Sequence, residues 1–87
     1  MKNTTKVLQI MIQDPNRRFT QLELVENTGL DKTKINYTVY QLKKGKLVLV
    51  ERKKSKQSRS GIEAGYYLNP ERVHRVVGLL NRPKEEQ

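Results

Sequence analysis

The stretch FTQLELVENTGLDKTKINYTVYQLKKGKLV, Phe19 to Val48, contains the start and stop signals of two consecutive helices. Thr20-Gln21-Leu22-Glu23 has the spacing of a capping box, in which the Thr20 hydroxyl accepts from the Glu23 amide and the Glu23 carboxylate accepts from the Thr20 amide. A short helix beginning there would turn Leu22 and Val25 inward, with Leu24 a further candidate, and Gly29 suits a left-handed cap that ends it. Asp31 then caps a second helix over about residues 32–44, where Ile35, Val39 and Leu42 recur at i, i+4 and i+7 as a narrow inward stripe. Lys43 and Lys44 lie where the helix dipole favours cations, and Gly45 provides the exit.

Working outward, TTKVLQIMIQ (Thr4 to Gln13) places Val7, Leu8, Met11 and Ile12 on one helical face, and Asp14-Pro15-Asn16 stops that helix. Phe19, the only phenylalanine, follows in a short extended piece as an expected core anchor. Beyond Gly45, KLVLVERK is rich in aliphatic and β-branched residues and predicts a strand, KKSKQSRSG predicts an exposed loop, and IEAGYYL predicts a second strand. In that second strand Ile62, Ala64, Tyr66 and Leu68 share one side. Asn69-Pro70 opens a last helix with Val73, Val76, Val77 and Leu80 on its apolar face. The expected organisation is one domain over residues 1–82 and a flexible tail over 83–87.

Charge is distributed unevenly along this order. Residues 1–31 hold four basic and four acidic residues, and residues 60–87 again hold four of each. Residues 32–59 hold ten basic residues against the single Glu51, so the whole formal charge of +9 comes from the second helix and the hairpin. A positive block of this kind points to a polyanionic partner, nucleic acid first.

The remaining composition excludes more than it suggests. No cysteine means no disulfide framework, zinc knuckle or thiol nucleophile, and one histidine, His74, cannot make a transition-metal site alone. Too few groups are available for acid-base or nucleophilic catalysis, so no enzyme, no cofactor and no metal are expected. No run approaches the roughly 20 apolar residues that span a bilayer, and the start MKNTTKVLQI lacks the pattern of a secretory signal. A cytoplasmic, nucleoid-associated location without membrane contact is the expectation.

In this order of elements the capped short helix, the glycine turn, the longer helix and the Gly-x-Leu-Val exit into a hairpin resemble the winged helix-turn-helix of small bacterial, phage and plasmid transcription regulators. The small size and layout are also similar to the stand-alone fimbrial-operon regulators of the PapI and FaeA type. The resemblance covers about residues 5–80 and implies an α+β fold: a three-helix core, a two-stranded β-hairpin wing and a C-terminal helix. It further implies binding of double-stranded DNA, with the helix over 32–44 in the major groove.

On that helix the face opposite the inward stripe carries Thr33, Tyr37, Tyr40 and Lys44, flanked by Asn36 and Gln41. These types suit base edges: Asn and Gln pair with adenine, Thr and Tyr meet thymine methyls or hydrogen-bond, and Lys reaches guanine or phosphate. The competing reading has Tyr37 or Tyr40 covering the edge of a small core. Lys32 and Lys34, at the helix start, are expected on phosphates. In the wing, over about residues 53–61, Lys53, Lys54, Lys56 and Arg59 sit on an arm that would follow the backbone or drop Arg59 into a narrow minor groove, and Ser55, Ser58 and Ser60 would donate to phosphates. Arg17, Arg18 and Thr20 are weaker backbone candidates. Leu79 is a surplus apolar residue that suits a homodimer or cooperative self-association on DNA. Alternatives to a transcriptional regulator are a plasmid or phage partition or replication accessory, and a winged-helix RNA- or protein-interaction module.

Overall fold

The structure, a computed structural model, describes residues 2–56 and 61–81. Its elements run α1 (Asn3–Ile12), α2 (Gln21–Thr28), α3 (Lys32–Lys44), β1 (Val48–Lys54), β2 (Ile62–Leu68), a 3-10 turn (Pro70–Arg72) and α4 (Val73–Leu80). This is the expected α+β order, a three-helix core followed by a hairpin and a last helix. The expected flexible tail, 83–87, and the wing residues Ser58, Arg59 and Ser60 lie outside the described residues.

Local chemistry sets the helix boundaries. Thr20 Oγ1 accepts from the Glu23 amide at 3.1 Å and Glu23 Oε1 accepts from the Thr20 amide at 3.0 Å, which completes the capping box of α2. At its other end Gly29 has φ of 78°, a left-handed conformation that a side chain would oppose, and its amide donates to the Val25 carbonyl at 2.9 Å. Thr28 tightens the same turn: its hydroxyl donates to the Leu24 carbonyl at 2.6 Å and accepts from the Leu30 amide at 3.1 Å. Asp31 Oδ1 accepts from the Lys34 amide at 2.8 Å and starts α3. Gly45 ends α3, but the left-handed residue of that exit is Lys46, at φ of 61°. A non-glycine residue is disfavoured there by about 1–2 kcal/mol. Asn69 offsets this by donating its Nδ2 to the Lys46 carbonyl at 2.9 Å and its amide to the Leu47 carbonyl at 3.0 Å.

The capping box makes stability depend on acid. The hydrogen bond from the Thr20 backbone, aided by the charge of Arg17, holds the Glu23 carboxyl below its ordinary value of 4.5. A carboxylate whose folded pKa is lowered contributes stability above its unfolded pKa and loses it as pH falls through the folded value. The expected result is an unfolding temperature that drops below about pH 4.5. Glu23→Gln should flatten part of that drop, as followed by circular dichroism in acid.

Val7, Leu8 and Met11 of α1, Leu24 of α2, Leu30, and Ile35, Val39 and Leu42 of α3 form the core with Phe19, Val48, Leu68 and Val76. Two inward assignments are corrected. Leu22 is 65% exposed while Leu24 is fully buried, because two turns of helix with three apolar residues leave the phase open and packing selects Leu24 with Val25 alongside. Val77 is 40% exposed, since α4 buries Val76 against α1 and only half-buries Val73 and Leu80. The first strand begins at Val48, two residues later than expected, because Lys46 and Leu47 complete the turn out of α3.

β1 and β2 pair antiparallel from Val48 opposite Leu68 to Lys54 opposite Ile62. Phe19 adds a bridge beside β2, exchanging two 2.8 Å hydrogen bonds with Tyr66. The segment before α2 thus becomes a third, single-residue edge of the hairpin.

Candidate nucleic-acid interface

Helix α3 separates its buried and exposed faces by angle. Ile35, Thr38, Val39 and Leu42 are buried, and Lys32, Thr33, Lys34, Asn36, Tyr37, Tyr40, Gln41 and Lys44 are all exposed. Tyr37 is 62% and Tyr40 61% exposed, and neither belongs to the buried core. Thr38 was not foreseen inside. It is 2% exposed and lies within one step of the stripe.

Two hydrogen bonds organise the outer face. Gln41 Nε2 donates to the Tyr37 hydroxyl at 2.9 Å across one helical turn. On the opposite flank Gln21, the first residue of α2, donates its Nε2 to Asn36 Oδ1. Gln21 was not among the residues expected at the site, because only the relative placement of the two helices brings it beside Asn36.

The hairpin carries the rest of the charge outward. Lys53 and Lys54 of β1 and Lys56 just beyond it are exposed, with Lys53 Nζ 3.4 Å from Glu51 Oε1. Ser55 is half-buried, and its amide donates to the Gly61 carbonyl at 2.9 Å.

Arg17, Arg18 and Thr20 form the joint between hairpin and helices. Arg17 pairs with Glu23 and lies over the Phe19 ring, 4.8 Å from its centroid. Arg18 stacks 3.7 Å from the centroid of Tyr67, donates Nε to Glu51 at 3.0 Å and donates to the Asn16 carbonyl at 3.0 Å. The hydrogen bond from Arg18, with the charge of Lys53 nearby, holds the exposed Glu51 carboxyl below its ordinary value. Gly65 makes room for this joint, since a Cβ there would stand 2.9 Å from the Arg18 Cβ. Thr20 spends its hydroxyl on the α2 cap. Among the described residues no group of three or more His, Cys, Asp or Glu could hold a metal, and no helix is long and apolar enough to cross a membrane.

A capped helix and its turn, an outward-facing second helix and a hairpin packed beside it define a winged helix-turn-helix. Solved structures of this class superpose on the chain. The transcriptional regulator PcaV of Streptomyces coelicolor, solved with its natural ligand, matches at TM-score 0.65 and 26% identity over 91% of this chain and 53% of its own. ZitR of Lactococcus lactis matches at TM-score 0.69 and 10% identity, over 91% of this chain and 49% of its own. A protein of Ralstonia eutropha JMP134 matches at TM-score 0.69 and 14% identity, over 88% of this chain and 93% of its own. The chain spans about half the length of PcaV and ZitR. No family model and no curated protein sequence matches it.

Proposed function

We propose that the chain is a non-catalytic, sequence-specific regulator that binds double-stranded DNA, with α3 in the major groove and the wing on phosphates or in a minor groove. One observation carries this reading: the uncharged side chains of α3 that the core leaves exposed are Thr33, Asn36, Tyr37, Tyr40 and Gln41, the types that meet base edges. The whole positive excess of the protein lies in the same helix and hairpin. Lys32, Lys34 and Lys44 flank that face, Lys53, Lys54 and Lys56 extend it along the wing, and Arg59 joins them by charge and position in the sequence. Arg17 supports the backbone contact from the joint, and Arg18 and Thr20 act there mainly by holding the joint together. The likeness to PcaV, a transcriptional regulator, supports the role in transcription. Val77 and Leu79, each about 40% exposed on α4, offer a second copy a contact on DNA.

The test is affinity for random duplex, single-stranded DNA and RNA across a salt series. A duplex preference is expected, with log K falling against log salt at a slope of about −4 to −6, the signature of five or six neutralised phosphates. Equal binding to all three, or none, would assign the fold to an RNA or protein partner instead.

A further inference from the structure

The hydrogen bond between Gln21 and Asn36 serves neither the core nor either helix cap. It ties the exposed amide of the outer face of α3 to the start of α2. An untethered surface Asn moves among several rotamers, and a group that must meet a base edge gains from being held beforehand. With one acceptor position occupied by Gln21, the Asn36 carboxamide keeps a second position on Oδ1 and both hydrogens on Nδ2. Adenine presents the matching pair in the major groove, an N6 donor beside the N7 acceptor. Guanine presents two acceptors in the same place, so the Asn36 oxygen would meet O6 and remain unpaired.

The rest of α3 points the same way. The helix contains no arginine, the usual partner of guanine, and its lysines stand at the two ends, at 32, 34, 43 and 44. Between them the exposed groups are the Thr33 methyl, the Tyr37 and Tyr40 rings and the Gln41 amide, which suit thymine methyls and adenine. Resting on the DNA-binding reading above, we infer that Gln21 is a positioning residue of the recognition surface. It holds the Asn36 carboxamide for two-point readout of adenine, and the binding site carries an A·T pair opposite it.

The experiment selects a site from a random duplex library with the wild-type protein, then measures every single base-pair substitution of it. Asn36→Ala should abolish discrimination at one A·T pair. Gln21→Met, which keeps the methylene packing and removes the amide, should reduce discrimination at that same pair by about 3- to 10-fold, the cost of ordering one side chain at binding. The unfolding temperature of the Gln21→Met variant should stay unchanged, and Gln21→Ala should repeat the loss of discrimination. A G·C pair at the Asn36 position overturns the inference, as does unchanged discrimination in both Gln21 variants; in either case the DNA-binding reading stands. A wild-type protein that selects no duplex overturns that reading, and this inference with it.

Discussion

Ile35→Ala is expected to lower the unfolding temperature by roughly 10 to 30 °C. Ile35 is fully buried at the centre of the α3 stripe, and truncating a buried Ile to Ala costs about 2–5 kcal/mol through lost transfer energy and the cavity left behind. A domain of this size has roughly 4–13 kcal/mol in total, and each kcal/mol moves the midpoint by about 4–8 °C. Ile35→Val, which keeps the branched shape, should cost only about 0.5–1.5 kcal/mol. Thermal denaturation followed by far-ultraviolet circular dichroism reads both. A shift of only a few degrees for Ile35→Ala would mean that the stripe is not the centre of the core.

The second large effect concerns the wing. Replacing Lys54, Lys56 and Arg59 together by Ala should weaken binding to every duplex by roughly 100-fold or more at 0.1 M salt and shrink the salt slope by two to three, since each neutralised phosphate contributes about 0.9 to it. Arg59 lies outside the described residues and belongs in the set by charge alone. Lys54 and Lys56 are exposed and contribute nothing to the core, so the variant should stay folded. The ratio of selected to random affinity should hardly change, because phosphate contacts fix position and carry no sequence information. An unchanged salt slope would remove the wing from the mechanism.

The capped helices were the most legible part of the chain, because their signals are local. Thr20 with Glu23, Gly29 and Asp31 each act within four residues, and all three occur as expected. The outer face of α3 was equally legible, since four turns of helix fix a phase that the three apolar residues of α2 cannot. Leu22 and Leu24 show the limit: both are leucines on a two-turn helix, and only packing against α1 and α3 decides between them. Thr38 escaped because its hydroxyl makes it count as polar although it lies beside the stripe and is buried. Gln21, and the contacts by which Arg18 holds the hairpin, escaped for another reason. Their partners, Asn36 and Glu51, are 15 and 33 residues away along the chain, and no periodicity reports contacts of that range.

The joint before α2 has a mechanical consequence. In the four residues 17–20, Arg18 and Phe19 grip the hairpin through Glu51, Tyr67 and Tyr66, while Arg17 and Thr20 grip Glu23 at the head of α2. Bending the hairpin at its base would therefore load the start of the neighbouring helix, as with callipers on one pivot. The opening of such callipers is set at the pivot and not at the tips. In evolutionary terms, edits to these four residues would change the angle between hairpin and helices while leaving the exposed face of α3 and the lysines of β1 as they are.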